Sequence, residues 1–311
     1  MTEPVRMTRR APLPIALQHS AFAFGTGRTA GVSEHRLRAS DMIRPFWGTR
    51  AHADEPLTLH DLCRTVLQRL PPGTVISHTT AALLHAIPLP TKLEQEHFLH
   101  LSVAAPARAQ HARGIRGHSI RLSDDDVQWL EDVPLTTPTR TWCDLGSVLS
   151  DVNDLIVAGD RLLYWKDPLT NQAELVAAVA RHRRQRGSAR LTAALSELVD
   201  RAESPRESRV RLALIAGGLP RPVLNYELFS SSGLFIARGD LAYPEFRMLL
   251  DYEGEHHRVD RQQWNRDLTR FNDIQDEDWY SMRIGSEHAL DDVVARVRAA
   301  LIRRGWNPAC R

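Results

Sequence analysis

One stretch, Arg238 to Asn272, most constrains what this chain can fold into. Its pattern predicts a strand, a tight turn of four residues from Pro244 to Arg247, a second strand and then a polar helix. Because side chains alternate between the two faces of a strand, a turn of that length places Asp240 directly opposite Asp251 on one face of the hairpin. The β-carbons of such neighbours lie about 5 Å apart, and like charges at that spacing repel each other. The hairpin therefore predicts either a cation among these carboxylates or an acidic face that is open to water.

A metal site is the sharper of these two interpretations. Glu253 follows Asp251 by two positions, so it lies on the same face as a third carboxylate. Hard divalent cations such as Mg²⁺ or Mn²⁺ are bound through carboxylate oxygens. His256 and His257 follow Gly254 and add further polar groups beside the acids. The alternative is a solvated hairpin, since exposed acidic residues are common on protein surfaces.

The polar helix after the hairpin carries Gln263, Asp267 and Arg270 at i, i+4 and i+7 spacing, which places them on one face. An amide, an acid and an arginine on one helix face fit a helix that faces a site. They also fit a helix face that is simply in contact with water. Both interpretations stay open from the residues alone.

Composition limits the class of protein. With 311 residues, 25% of them charged and a formal net charge of +2, the chain is expected to form two or three soluble domains. Cys63, Cys143 and Cys310 are widely spaced, which argues against a zinc ribbon or a disulfide framework and favours a reducing compartment. No apolar run approaches the roughly 20 residues of a membrane span, and no apolar segment follows Arg9 and Arg10 as in a signal peptide. We therefore expect a cytoplasmic protein without a membrane partner.

The N-terminal part is predicted to consist of a disordered leader over residues 1–12 and a basic helical domain over 13–70. The glycine-rich segment 25–31 is interpreted as a turn-rich break, followed by a helix for which Ser33 is the predicted N-cap. A short helix, a glycine-bearing turn and a helix with Arg36 and Arg38 fit a helix-turn-helix that contacts DNA. Arg44, Trp47 and Arg50 would then form a wing that touches phosphate. An ordinary basic helical domain fits the same pattern.

Residues 71–180 alternate short strands and helices and are predicted to form an α+β middle domain. Its histidines are scattered along the sequence and are interpreted as structural or exposed. The segment 181–190 is rich in arginine, and Arg183, Arg184 and Arg186 are its candidates for phosphate contact. The alternative is a solvated helix end, because Gly187 follows and cations are favourable at a helix C-terminus.

Residues 191–311 are predicted to form an α/β domain in which elements from 205 onward follow the order α-β-β-β-α-β-α, a single sheet with helices on its faces. Pro205 suits the first turn of the first of these helices. Glu207 lies in that same turn.

This order, with an acid on the first helix, Asp240 on the middle strand and a D-x-E motif on the next, resembles the PD-(D/E)XK nuclease fold. The segments ESPRESRVRLALIAGGLPRP, RGDLAYPEFRMLLDYEGEHH, RDLTRFNDI and WYSMRI look like a family of uncharacterised actinobacterial proteins whose C-terminal domain is related to very-short-patch-repair endonucleases. Upstream, VSEHRLR, SHTTAALLHAIPLP and TTPTRTWCDL resemble AbiEi-type antitoxins of type IV toxin–antitoxin systems, in which the N-terminal domain is a winged helix-turn-helix.

The resemblance implies a metal-dependent DNA endonuclease. Asp240, Asp251 and Glu253 would hold Mg²⁺ or Mn²⁺, Glu207 would match the helix acid, and His257 would act as a general acid or base. Gln263 and Arg270 match the helix of the family and would contact DNA or phosphate. Glu253 stands where the wider superfamily has a lysine that helps to activate water, so either His256 or His257 substitutes for that lysine or the chemistry is altered or lost. The alternative is an AbiEi-like antitoxin or transcriptional repressor with a degenerate nuclease fold, with DNA, a cognate toxin and a second copy of the chain as expected partners.

Overall fold

A computed structural model of the chain describes residues 10–54, 56–253 and 261–309, and it describes side chains in those ranges except at 253 and 261–267. The protein is mixed α/β, and it divides into two compact units, Met1–Val148 and Leu149–Arg311. This division differs from the predicted one, because residues 149–180 belong to the second unit and the predicted domains 13–70 and 71–148 share the first. None of the described helices is long and apolar enough to cross a membrane.

The first unit opens with short helices and a small antiparallel sheet. Their bounds are α1 (Ile15–Gln18), β1 (Phe22–Ala23), α2 (Phe24–Thr29), α3 (Glu34–Leu37), β2 (Met42–Ile43) and β3 (Thr49–His52). The strands lie in the order β1-β3-β2. Ser33 caps α3 as predicted, since its Oγ accepts a hydrogen bond of 3.2 Å from the backbone nitrogen of Arg36.

The predicted break at residues 25–31 is wrong, because most of it forms α2. A β-carbon added at Gly27 would lie 2.8 Å from the ring of Phe22 and 2.9 Å from Leu37. Glycine is therefore required here for the close approach of the helix to its neighbours, and the tertiary packing outweighs the low helix propensity of glycine.

The rest of the first unit is built on a five-stranded mixed sheet. The elements are α4 (Leu59–Leu67), β4 (Val75–Ile76), α5 (His78–Leu84), α6 (Thr91–Glu94), β5 (Leu99–Ala104), β6 (Ile115–Ile120), β7 (Val127–Leu130), β8 (Val133–Thr136) and α7 (Pro138–Leu145). The strand order is β6-β5-β4-β8-β7. Apolar residues of the sheet, among them Ile76, Leu101 and Leu135, pack with Val66 of α4 to form the core.

The second unit begins with four helices, α8 (Val152–Leu163), α9 (Gln172–Arg181), α10 (Ser188–Leu195) and α11 (Pro205–Ala216). A buried polar contact fixes α8 to α11. The Oδ2 atom of Asp160 accepts hydrogen bonds from Ser208 Oγ at 2.6 Å and from Arg211 Nη2 at 3.0 Å. Both Asp160 and Arg211 are almost fully buried, so this ion pair joins α8 to α11 inside the second unit.

The sheet of the second unit follows the predicted order of elements. Its elements are β9 (Val223–Phe229), β10 (Phe235–Tyr243), β11 (Met248–Glu253), α12 (Arg261–Asp276), β12 (Tyr280–Gly285) and α13 (Leu290–Arg303). The strands lie in the order β12-β11-β10-β9. Neighbours are antiparallel except for β11 and β12, which are parallel and joined through α12.

The two faces of this sheet are covered by different helices. On one face, Leu241, Tyr243 and Leu250 pack with apolar residues of α11 and α13. On the other face, Ala242 and Leu249 pack with Ile274 of α12. Alternation along β10 and β11 therefore places Asp240 and Asp251 on the face that α12 covers.

Candidate functional site

The hairpin of β10 and β11 has the predicted register. Leu241 pairs with Leu250 and Tyr243 with Met248, so the same register places Asp240 opposite Asp251. The connecting turn is a short 3₁₀ segment, Pro244–Phe246, followed by Arg247 in the left-handed conformation at φ 47°. The four-residue turn that fixes the position of the two aspartates is thus confirmed.

Asp240 is partly buried and accepts a hydrogen bond from the backbone of the neighbouring strand. Its Oδ2 atom accepts a hydrogen bond of 2.7 Å from the backbone nitrogen of Tyr252. Burial raises the pKa of Asp240, this hydrogen bond acts in the opposite direction, and the nearby charge of Asp251 raises the pKa further. Proximity to a second carboxylate therefore works against ionisation of Asp240, and a bound cation would relieve this repulsion.

Asp251 is paired with an arginine of α12. Arg270 Nη2 donates to Asp251 Oδ1 at 3.1 Å and to the carbonyl oxygen of Arg238 at 3.1 Å. Arg270 precedes the buried Ile274 by four residues, so the helix directs both side chains to the sheet. Burial raises the pKa of Asp251, while Arg270 lowers it. The buried Nε of Arg270 has no hydrogen-bond partner among the described residues, while the side chain as a whole is 37% exposed.

Glu207 lies in the first turn of α11, as predicted, and is buried. Ser204 caps this helix, its Oγ accepting from the Glu207 backbone nitrogen at 3.2 Å. Glu207 Oε2 in turn accepts a hydrogen bond of 2.9 Å from the backbone nitrogen of Glu203. Burial raises the pKa of Glu207 to about 7, and the negative charge of Asp240 contributes to the increase. Glu207 and Asp240 are therefore electrostatically coupled although they come from different elements.

Glu203 and Lys166 adjoin this cluster and were not singled out from the sequence. Lys166 Nζ lies 2.8 Å from Glu203 Oε1, and Arg238 Nη2 lies 3.0 Å from the same oxygen. The charge of Glu203 contributes to raising the pKa of both Asp240 and Glu207. The available signals were that Lys166 is one of only two lysines in the chain and that Glu203 precedes Glu207 by four residues.

The described carboxylates offer the oxygen ligands that a hard divalent cation prefers, but they are not among the groups whose ligand atoms lie close together. Two groups of three ligand atoms lie within 4.8 Å of one another in the described part of the chain, and neither includes Asp240, Asp251 or Glu207. The side chains of Glu253 and Gln263, and all of His257, lie outside the described residues. The described donors are all oxygens, as Mg²⁺ prefers, and they supply two carboxylates from the sheet and one from the first turn of α11.

Two arginines that the sequence assigned to DNA contact are buried. Arg36 Nε donates to the carbonyl oxygen of Ala11 at 2.7 Å, and its Nη1 lies 2.9 Å from Asp41 Oδ1. Arg50 Nε donates to the carbonyl oxygen of Leu37 at 2.7 Å. These contacts join α3 and β3 to neighbouring N-terminal segments, and they argue against the phosphate-binding role predicted for Arg36 and Arg50. Arg38 is exposed and is paired with Glu34 on α3.

The arginines between α9 and α10 are placed on the surface. Arg183, Arg184 and Arg186 are all exposed in the turn that follows Arg181, the last residue of α9. Arg184 has φ 68°, and Gly187, at φ 88°, precedes α10. The structure therefore presents a basic turn, which fits both phosphate contact and a charged helix end.

Comparison with known proteins gives a partial match to proteins without an assigned function. No protein-family model matches the chain. Two uncharacterized proteins of Mycobacterium tuberculosis, from the strains CDC 1551 / Oshkosh and H37Rv, are each 34% identical to this chain over 122 residues. The match covers 39% of this chain and 43% of each relative, so the chain spans less than half the length of these relatives.

Proposed function

We propose that this chain is a metal-dependent DNA endonuclease of the PD-(D/E)XK type, which hydrolyses phosphodiester bonds. The observation that carries the proposal is the hairpin register, which sets Asp240 opposite Asp251 on a partly buried sheet face. The strand order β12-β11-β10-β9, with helices on both faces, supports this choice of fold.

Asp240 and Asp251, with Glu253, would hold Mg²⁺ or Mn²⁺. When bound, the cation lowers the pKa of a ligated water and stabilises charge on the scissile phosphate. Glu207 would hold a proton or a water beside Asp240, because its pKa of about 7 lets it exchange a proton near neutrality. Arg270 would orient the phosphate, because its guanidinium lies beside Asp251 and its side chain is 37% exposed. His257 keeps its predicted role as general acid or base and Gln263 its predicted contact with DNA.

The N-terminal segment would supply DNA binding. The elements α1-β1-α2-α3-β2-β3, with strands in the order β1-β3-β2, support a winged helix-turn-helix. In that arrangement α3 would face the major groove, and Arg38, the exposed residue that directly follows α3, would lie beside it. The basic turn of Arg183, Arg184 and Arg186 would add contacts to phosphate.

A second function, an AbiEi-like antitoxin or repressor, is favoured by one specific observation. Each described carboxylate of the site already has a protein partner: Tyr252 nitrogen for Asp240, Arg270 for Asp251 and Glu203 nitrogen for Glu207. Carboxylates that already accept hydrogen bonds from protein groups need no cation to stabilise them. This function predicts DNA binding without cleavage, with a cognate toxin or a second copy of the chain as partner.

Cleavage assays test the two functions. Supercoiled, linear, mismatched and single-stranded DNA are incubated with Mg²⁺ or Mn²⁺ and with wild type, Asp240→Asn or the control Asp273→Asn. Asp273 is an exposed acid of α12, so its loss changes the net charge equally without altering the hairpin. Metal-dependent cleavage that disappears only in Asp240→Asn supports the nuclease. DNA binding without cleavage by any of the proteins excludes it and leaves the repressor, and equal cleavage by all three indicates a contaminant or an active site that does not include Asp240.

Calorimetry with Mg²⁺ gives a second, independent measure. A cation beside Glu207 favours its ionised form, so binding near pH 7 releases a proton. The observed heat should then differ between buffers with different ionisation enthalpies, and this difference should be lost in Glu207→Gln. A wild-type protein that shows no heat with Mg²⁺ would count against the metal site.

A further inference from the structure

Three histidines that are far apart in the sequence meet at one end of the five-stranded sheet. His78 begins α5 directly after β4, His100 lies on β5 and His118 lies on β6. Antiparallel pairing of β4 with β5 and parallel pairing of β5 with β6 bring them together. The rings of His78 and His118 are stacked at 3.8 Å, and those of His100 and His118 are 5.1 Å apart. The topology therefore brings together three histidines that are scattered along the sequence, and their interpretation as structural residues stays a prediction.

The spacing of the ring nitrogens is close to that of a metal site. His118 Nε2 lies 3.0 Å from His100 Nδ1. One ring nitrogen from each of the three histidines lies within 4.8 Å of the other two. Zinc–nitrogen bonds of 2.0–2.1 Å in a tetrahedron separate the nitrogens by about 3.3 Å. Side-chain rotations that unstack His78 from His118 would bring the three nitrogens around one ion.

Two of the three histidines have a polar group near the ring nitrogen that faces away from the cluster. His100 Nε2 lies 3.7 Å from Glu96 Oε2, and neither buried atom has a hydrogen-bond partner among the described residues. His78 Nδ1 lies 2.9 Å from Ser77 Oγ, which also accepts a hydrogen bond from Ser102. An imidazole that donates one N–H to a carboxylate or hydroxyl presents the lone pair of its other nitrogen to a metal. Glu96 and Ser77 are placed to orient His100 and His78 in this way.

Charge and backbone geometry agree with this arrangement. Burial lowers the pKa of His100 to about 3 and that of His118 to about 4, so both rings are neutral at physiological pH, which is the form that binds metals. Arg116, whose guanidinium lies over the ring of Phe98, opposes a cation here, and the carboxylate of Glu96 offsets it. His78 has φ 50°, a left-handed conformation that is costly for a residue other than glycine and that recurs at binding sites.

We propose that His78, His100 and His118 form a binding site for a divalent transition metal of the zinc class, with three imidazole ligands and a fourth position open to water or to a ligand. The site lies within the first unit, and it does not depend on the proposed nuclease activity. A hydrogen-bonded cluster of neutral imidazoles without a metal is the competing explanation, and the two differ in affinity for the metal.

The test uses the full-length protein, freed of metal by a chelator, and Co²⁺ as the spectroscopic probe, with Zn²⁺ titrations by calorimetry. We expect one equivalent of Co²⁺ with the visible absorption of a low-coordinate nitrogen site. His118→Asn should weaken binding more than tenfold, and Glu96→Gln should weaken it by about 10- to 100-fold through the lost orientation of His100. Circular dichroism confirms that each variant is folded.

Two matched controls locate the ion. His97→Asn removes an exposed histidine near the cluster, and His60→Asn removes the histidine of the other candidate group, with Glu131 and Asp132. Neither change should affect binding. The proposal is overturned if wild type takes up no Co²⁺, if His118→Asn binds Co²⁺ as tightly as wild type, or if His60→Asn abolishes binding.

Discussion

The buried contact between Asp160 and Arg211 gives the sharpest prediction about stability. Replacing Asp160 by alanine removes the acceptor of Ser208 and Arg211, and also the acceptor of the Val199 backbone nitrogen at 2.9 Å. Each lost hydrogen bond costs about 1 kcal/mol, and Arg211 keeps a buried charge without its partner. Removing one partner of a buried ion pair costs about 3–5 kcal/mol. We expect Asp160→Ala to lower the free energy of unfolding of the second unit by that amount.

Differential scanning calorimetry of the full chain measures this effect, because the two units need not unfold together. For a unit of this size, about 2–4 °C is lost per kcal/mol, so the transition should fall by roughly 6–20 °C.

The matched control is Asp167→Ala. Asp167 pairs with Arg161, from the same helix as Asp160, at 2.9 Å, but its side chain is 71% exposed. Exposed pairs contribute about 0–1 kcal/mol. The double change Asp160→Ala with Arg211→Met should recover part of the lost free energy of unfolding, since it also removes the buried, unpaired charge of Arg211. Equal effects of Asp160→Ala and Asp167→Ala would refute the argument that burial sets the cost.

Three further predictions concern single side chains. The pKa of Glu207 is raised from 4.5 to about 7 on folding, so its contribution to stability is complete below about pH 4.5 and is lost as the pH rises to 7. This pH-dependent contribution to the free energy of unfolding is about 3 kcal/mol, so Glu207→Gln should be more stable than wild type at pH 8 but not at pH 4.5. A difference in urea midpoint between the two proteins that is the same at both pH values would contradict this. Ser204→Ala removes the N-cap of α11 and should cost about 1 kcal/mol in urea unfolding, whereas Ser196→Ala, an exposed serine at the end of α10, should cost less than half of that. Gly117→Ala would place a β-carbon 2.1 Å from the carbonyl oxygen of Gln110, so it should lower the free energy of unfolding by about 1–3 kcal/mol. An unchanged melting temperature would show that the segment around Gln110 moves aside freely.

Local patterns in the sequence predicted the hairpin well. Asp240 and Asp251 are joined by a turn whose length fixes the register, and strand alternation then determines which residues share a face. The cap at Ser33 and the position of Glu207 in the first turn of α11 follow from equally short-range rules. Interactions of this kind involve residues a few positions apart, so they can be inferred without knowledge of the tertiary fold.

Features that depend on distant residues could not be predicted in the same way. The meeting of His78, His100 and His118 depends on the pairing of three strands. The helix over residues 24–29 depends on the contact of Gly27 with Phe22 and Leu37, because its sequence favours a turn. Arg36 carries the charge of a DNA contact but is buried against Asp41. In each case the deciding contact is tertiary.

The parallel pairing of β11 with β12 has a consequence for the order in which the second sheet folds. Strands β9, β10 and β11 are connected by turns and can pair as soon as each is complete, whereas β12 joins only after the crossover through α12. Non-local pairings of this type form late, because their loop entropy is lost before their contacts are gained. Until then β11, with its apolar run from Met248 to Leu250, is an open edge strand in a growing chain. Strand β12 therefore completes the sheet and also covers the edge of β11, which could otherwise pair with a strand of another nascent chain.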